Sequence, residues 1–316
     1  MTRLIAGILW LAMASMPAIS QSSSTRKVDW RQDKAQVLRL IDWNEAEVRK
    51  AEVTHGDREH LVSKYSALAV LYTDAGMGLK TEDAFRRALA LLKDGPQDRL
   101  ADELEQLGVL QMAMGELRQA ERDEMQALEI RQALGDPVGL ALAESQIAGI
   151  YDFERKFAKA RDHAEKAYDA LAGRADVDAA DRIGVWHTLG FALTGLQNCE
   201  RGIEVLKDAL EMARSNPGPG DASLGYSEYL LGFGYWQCSD RDHAAAWLQR
   251  GTTDMTAEFG FGHAMYVNAM KQYAQFLRQY GQLEEAVAAE AVVHQAESVV
   301  DANTLTTRAG SRLSSP

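Results

Sequence analysis

The sequence predicts an all-α protein, and three observations support that prediction. Only 6 of the 316 residues are proline, and alternating runs rich in Val, Ile and Thr are scarce, which argues against an all-β or α/β chain. The composition, 46% hydrophobic and 25% charged, is that of a soluble globular protein. A block of apolar and small residues also recurs along the chain with a long, regular period, as in solenoids built from helix pairs. We therefore expect one domain of about six helix pairs.

The first twenty residues are predicted to be a cleaved export signal. Arg3 gives a positive start, residues 4–16 form an apolar run, and Ala18 and Ser20 provide small residues for a cut after Ser20. The run is shorter than the roughly 20 residues that span a bilayer, which leaves an uncleaved anchor as the less favoured alternative. The expected location is therefore periplasmic or secreted, with no membrane contact after cleavage.

Residues 21–58 are predicted to hold a solvated leader and then one capping helix, near 33–53. Six repeats follow, placed near 59–97, 98–136, 137–177, 178–219, 220–260 and 261–300. Each repeat begins its pattern with one apolar residue, and these are Leu68, Leu107, Ile147, Leu189, Leu231 and Tyr273. Asn216 begins the loop Asn-Pro-Gly-Pro-Gly between repeats four and five. The pattern is lost after residue 300, so residues 301–316 are predicted to be a mobile tail.

Small residues recur where the two helices of a pair would cross. Axes about 8 to 10 Å apart leave no room for large side chains at the crossing. The first helix supplies glycine and the second helix supplies alanine, at Gly108, Gly190 and Gly232 and at Ala127, Ala167 and Ala209. One pair cannot bury its apolar face alone, so neighbouring pairs are expected to stack into a continuous core.

These residues resemble the tetratricopeptide repeat (TPR). Repeat four has Trp186-x2-Leu189-Gly190-x2-Leu193, and repeat five has Leu231-Gly232-x2-Tyr235 followed by Ala244, Leu248 and Gly251. The second helix that ends after Ala127 at Gly135 is similar to the longer-period variety found in kinesin light chains. The resemblance covers about residues 59–300. It implies a right-handed α-solenoid of TPR helix pairs, whose first helices line a concave surface that binds proteins.

An aromatic stripe on the first helix of repeat five is the candidate peptide-binding site. Tyr226, Tyr229, Phe233 and Trp236 recur at spacings of 3, 4 and 3, on a different face from the repeat's core residues. The equivalent positions are His187 and Phe191 in repeat four and Lys271, Gln275 and Arg278 in repeat six. The predicted groove therefore runs from aromatic to basic and would steer the acidic end of a peptide.

Two alternatives to the groove stay open. The rings could fill gaps between adjacent helices, or the aromatic face could be covered by a second copy of the chain in a structural scaffold. The formal net charge of −12 and the pI near 5.1 argue against nucleic acid as a partner.

The sequence contains no sign of a catalytic or metal-binding site. The seven histidines are scattered without metal-ligand spacing, and no nucleophile elbow or phosphate-binding loop is present. We predict a protein that is not an enzyme and that uses no metal or cofactor.

The two cysteines fall at the turns between the helices of repeats four and five. Cys199 and Cys238 lie on the same edge of the expected solenoid. A bridge needs Cα atoms about 4.4 to 6.8 Å apart, and the spacing alone leaves a disulfide and two free thiols equally open.

Overall fold

The computed structural model describes residues 30–54, 57–75, 77–218, 223–259 and 264–310. The predicted export signal at 1–20 lies outside these residues, as do residues 219–222 of the predicted loop and 311–316 of the predicted tail. The described residues form thirteen α-helices and no strand. The helices are α1 (Trp30–Val53), α2 (Arg58–Asp74), α3 (Gly78–Leu92), α4 (Gln97–Met114), α5 (Leu117–Leu134), α6 (Pro137–Phe153), α7 (Phe157–Leu171), α8 (Ala179–Gly195), α9 (Cys199–Ser215), α10 (Leu224–Gln237), α11 (Arg241–Phe259), α12 (Ala264–Gln279) and α13 (Leu283–Gly310).

Helices α2 to α13 pack as six consecutive pairs. The first helix of each pair is even-numbered, from α2 to α12. The second helix of each pair is odd-numbered, from α3 to α13. Each of the second helices from α3 to α11 also contacts the first helix of the next pair, and α1 packs on α2 at the N-terminal end. The predicted fold class, a solenoid of six helix pairs with an N-terminal capping helix, is confirmed.

The turn inside each of pairs two to six contains one residue in the left-handed region. These residues occupy equivalent positions of successive repeats and are Gly115 (φ 79°), Arg155 (57°), Gln197 (63°), Ser239 (61°) and Gly281 (78°). In the first of these turns, the N–H of Glu116 donates back to the carbonyl of Gln111, which satisfies a carbonyl that the helix end would leave unpaired. The same backbone geometry therefore reverses the chain in five successive pairs.

Side-chain caps begin the first helices of the middle repeats. The carboxylate of Asp136 accepts from the N–H of Gly139 at 2.9 Å, and Pro137 occupies the first turn of α6. Asp178 and Ser223 accept in the same way from Ala180 and Tyr226 at the starts of α8 and α10. A helix N-terminus exposes unpaired N–H groups, so these caps fix where each first helix begins.

The core follows the repeat pattern. Ile147, Leu189 and Leu231, which lead the first helices of repeats three to five, have no exposed surface. The alanines at the crossings on the second helices, Ala127, Ala167 and Ala209, are also fully buried. The close helix approach predicted from small residues is therefore the packing found in repeats two to five.

Helix α13 continues beyond the last predicted repeat. It runs from Leu283 to Gly310, so residues 301–310, predicted as part of a mobile tail, are helical. No glycine or proline occurs between residues 283 and 309 to end the helix. Loss of the repeat pattern at residue 300 thus marks the end of the periodic packing residues and not the end of the helix.

Candidate functional site

The four aromatic residues predicted on α10 form a continuous row. Ring centroids are 6.3 Å apart between Tyr226 and Tyr229, 6.2 Å between Tyr229 and Phe233, and 5.3 Å between Phe233 and Trp236. These separations are within the range of favourable aromatic pairs. We refer to these four rings as the aromatic ladder.

The ladder connects three successive repeats. On the α8 side, His187 contacts Tyr226 edge-on at 5.7 Å, and Phe191 stacks on Phe233 at 5.4 Å. On the α12 side, Trp236 meets Phe276 edge-on at 5.6 Å. The first helices of repeats four, five and six are therefore joined by aromatic contacts on their shared face.

Four of the nine predicted groove residues are buried. His187 has no exposed surface, and Phe191, Tyr226 and Tyr229 are 6%, 4% and 6% exposed. The pKa of Tyr229 is raised because burial disfavours its charged form. The prediction that these four residues line an open groove is wrong. Helices α8 and α10 contact each other directly, so side chains in the concave register are covered by the neighbouring first helix and fill the gap between repeats.

Phe233 and Trp236 form the open end of the ladder. Both are half-buried and pack against the core of repeats five and six. The indole N–H of Trp236 donates to Oε1 of Gln279 at 3.1 Å, and Gln275 on the same helix is also half-buried. Two aromatic faces and adjacent side-chain amides are thus accessible at the junction of α10 and α12.

The predicted basic end of the groove is neutralised by helix α13. Nζ of Lys271 lies 2.7 Å from a carboxylate oxygen of Glu297. Arg278 makes two bonds to Glu290, with nitrogen–oxygen distances of 2.5 and 2.6 Å. Sequence reasoning placed the two cations correctly on one helix but missed their partners, because the carboxylates come from the following helix.

Buried carboxyl groups were not anticipated as features of the interior. Glu228 is the one charged residue of α10, and its side chain has no exposed surface. Nε of Arg250 lies 2.8 Å from its carboxylate, and a guanidinium nitrogen of Arg214 lies 3.9 Å away. Burial, and then a hydrogen bond with Asp254, raise the pKa of Glu228 to about 7. A single charge within the apolar run of α10 was the signal that could have identified this group.

Two further carboxyl groups are buried in repeats two and three. Glu124 and Asp152 have no exposed surface, and burial raises the pKa of each well above its ordinary value. Glu124 lies against Gly108 at the crossing of α4 and α5, where repeats one, four and five have Phe85, Leu206 and Leu248. A carboxyl group whose neutral form is favoured by burial therefore occupies the space that an apolar side chain fills in those repeats.

The two cysteines are joined by a disulfide bond. The Cα atoms of Cys199 and Cys238 are 5.8 Å apart, within the range that a bridge requires. Beside it, Nε2 of Gln197 donates to the carbonyl of Gln237 at 2.9 Å. The turns of repeats four and five are thus linked covalently and by a hydrogen bond on one edge of the solenoid.

Within the described ranges, no group of three or more His, Cys, Asp or Glu residues is arranged to bind a metal ion. In the same part of the chain, every helix is too short or too polar to cross a lipid bilayer.

Solved structures with this architecture are helical-repeat proteins. The apo form of RapI matches with a TM-score of 0.71 at 13% identity, over 86% of this chain and 95% of RapI. TPR-like repeats assigned to a kinesin light chain of Podosopora anserina match with a TM-score of 0.50 at 14% identity, over 63% of this chain and 96% of theirs. The Rap conjugation gene regulator of plasmid pLS20, solved with the Phr* peptide, gives 0.52 at 12% identity, over 84% and 76% of the two chains.

No family model matches the sequence, and no curated protein is significantly similar to it. The likeness to known proteins therefore lies in the architecture, where the long-period helix pairs, the small residues at their crossings and the solved structures agree. The chain has the fold of a TPR-type helical-repeat protein, of the kind found in kinesin light chains and Rap proteins.

Proposed function

We propose that this protein is an exported, non-enzymatic binding module that captures a peptide or protein segment at the open end of the aromatic ladder. The observation that supports this most directly is the partial exposure of Phe233 and Trp236 above a layer of buried rings. Rings held by such a layer lose little conformational freedom on binding, and rigid aromatic anchors are typical of interface hot spots.

The polar neighbours of the two rings suit an extended peptide. The side-chain amide of Gln279 contacts Trp236, and Gln275 lies one turn earlier on the same helix α12. Amides can both donate to and accept from a peptide backbone. An acidic ligand end would have to displace Glu290 from Arg278 or Glu297 from Lys271. We therefore assign the affinity to the rings and amides, and give charge a secondary role. The Rap regulator solved with the Phr* peptide is a precedent for peptide binding on this fold.

Export is supported by the disulfide. Bonds such as Cys199–Cys238 persist in oxidising compartments and are rare in the cytosol. Mass spectrometry of the protein from its native host should find an N-terminus at or near Gln21. An intact Met1 or Thr2 in the soluble fraction would contradict export.

The binding proposal is tested by crosslinking in the native host, followed by affinity measurement with the identified segment. Trp236→Ala is expected to weaken binding by about thirtyfold, since truncating an anchor typically costs about 2 kcal/mol of binding energy. Trp43→Ala is the matched control, because Trp43 is 55% exposed on the distant helix α1. It should bind like the unmodified protein.

Two results would count against the groove. Unchanged affinity of a folded Trp236→Ala variant would show that the ring is not an anchor. Recovery of a second copy of the chain as the main crosslinked product, with a mass that falls on dilution, would favour the self-associating scaffold. Tyr229→Ala tests whether Tyr229 belongs to the core. Removal of a buried ring should lower the free energy of unfolding by about 3 to 5 kcal/mol.

A further inference from the structure

A cleft of about 510 Å³ lies between α11 and α12, the second helix of repeat five and the first helix of repeat six. Its walls include Thr252 and Thr256 on α11 and Tyr266, Met270 and Tyr273 on α12. None of the predicted groove residues lines it. The cleft is therefore separate from the proposed peptide site. It is open to solvent on one side, and its volume leaves room for a small molecule.

Thr252 is one of two residues that account for the cleft. The positions equivalent to Thr252 in repeats one to four, each one repeat period from the next, hold large side chains, namely Leu89, Leu128, Tyr168 and Leu210. All four pack into the apolar core between repeats. Threonine at 252 is the exception, and it leaves open the space that the larger residues fill elsewhere.

The junction of repeats three and four shows how that space is filled. There Tyr168 packs against Trp186, with ring centroids 4.3 Å apart. Trp186 and Met270 occupy equivalent positions, two repeat periods apart. The pair Tyr168 and Trp186 is thus replaced by the smaller pair Thr252 and Met270, and both replacements enlarge the gap.

The walls of the cleft determine which ligand would fit. The side chains that line it carry no charge, and Tyr266 and Met270 are 6% and 8% exposed. The hydroxyl of Thr252 donates to the carbonyl of Leu248 at 2.8 Å, and that of Thr256 donates to the carbonyl of Thr252 at 2.9 Å. Because both protons are already used, these oxygens can only accept hydrogen bonds from a ligand.

We propose that this cleft binds a small, uncharged molecule that has a flat ring and at least one hydrogen-bond donor. The ring would lie between the aromatic wall of Tyr266 and Tyr273 and the thioether of Met270, where aromatic and sulfur contacts are favourable. The donor would face the threonine oxygens on α11. An ionised ligand is disfavoured because no opposite charge lines the cleft.

Indole is a suitable probe, because it is neutral and planar and has one N–H donor. Saturation-transfer NMR with the full-length mature protein should show transfer to millimolar indole. Thr252→Leu should reduce the signal, and Thr252→Tyr, the residue of repeat three, should abolish it. Both variants place at position 252 a residue type that other repeats carry at the equivalent position, and the thermal midpoint checks that they fold.

The donor requirement is tested with indene, which has the shape of indole without the N–H group. Loss of one hydrogen bond should weaken binding about fivefold. Thr54→Leu is the control for the threonine substitution, because Thr54 is exposed beyond the end of α1, and it should leave the indole signal intact. Trp236→Ala should also leave the signal intact, which would show that this site is separate from the peptide site. If the Thr252 variants fail to fold, Met270→Trp fills the cleft from the opposite wall.

Absence of transfer from the unmodified protein would overturn the proposal. So would an undiminished signal in a folded Thr252→Tyr or Met270→Trp variant. Equal affinity for indole and indene would reject the donor requirement and with it the assigned ligand class.

Discussion

Gly232 on α10 lies directly against the backbone of Leu248 on α11. A Cβ atom added at Gly232 would be 2.6 Å from the amide nitrogen of Leu248 and 2.9 Å from the carbonyl carbon of Trp247. Backbone atoms of a packed helix cannot move aside as the end of a flexible side chain can. Glycine at this position therefore sets the separation of the two helices of repeat five.

Gly232→Ala should destabilise the protein by about 1 to 3 kcal/mol, since overpacking forces the helices apart. Gly149→Ala is a matched control on α6, because the nearest atom to its added Cβ would be Cε of Met112 at 4.0 Å. That change should stabilise by up to about 1 kcal/mol through helix propensity. Denaturant midpoints of the two variants should move in opposite directions, and a shared direction would contradict this account.

Removal of the Cys199–Cys238 bridge should lower stability by about 4 kcal/mol in the chain-entropy model, because the bond closes a loop of 39 residues. The double Cys→Ser variant should therefore unfold at lower denaturant. Reductant should shift the unmodified protein to the same midpoint and leave the variant where it is. Two titratable thiols in air-oxidised protein would show that the bridge does not form.

Glu228 should make stability depend on pH in a defined direction. Its folded pKa of about 7 is raised above the ordinary value of 4.5, so the folded state favours the protonated form. The resulting stabilisation is complete below about pH 4.5 and is lost as the pH rises through 7. Arg250, Arg214 and Asp254 are the charged groups that face this carboxyl.

The Glu228→Gln variant keeps a neutral side chain of similar shape at every pH. Relative to the unmodified protein, its free energy of unfolding should increase between pH 5 and pH 8. Titrating groups that do not interact with Glu228 cancel in this difference. Glu284→Gln, at an exposed position on α13, serves as the control and should show no such trend. A constant difference between Glu228→Gln and the unmodified protein would contradict the raised pKa.

The turns inside the repeats allow a reciprocal test. Ser239 adopts a φ of 61°, whereas the equivalent residue of repeat two is Gly115 with a φ of 79°. A side chain in this region costs roughly 1 to 2 kcal/mol, offset in part by the greater freedom of glycine when unfolded. Ser239→Gly should thus raise, and Gly115→Ser lower, the thermal midpoint. Identical midpoints for both variants would mean that the turns relax to avoid the strain.

The sequence by itself determined the repeat architecture. Apolar residues such as Leu189 and Leu231 and small residues such as Gly232 recur at one regular period along the chain. These residues specify helices and helix pairs that are close together along the chain, so the helix pairs can be predicted from the periodicity of the sequence. The capping helix α1 and the six helix pairs follow from these local rules.

The tertiary structure decided which residues of the aromatic stripe are accessible. Tyr229 and Phe233 are both aromatic residues of the same stripe, and the sequence does not distinguish them. The neighbouring helices bury Tyr229 and leave Phe233 partly exposed. The pairing of Arg278 with Glu290 and the 5.8 Å separation of the cysteine Cα atoms likewise depend on how adjacent helices and repeats are placed. Exposure, ion pairing and disulfide geometry are set by the angle and distance between packed helices, and a linear pattern does not encode these quantities.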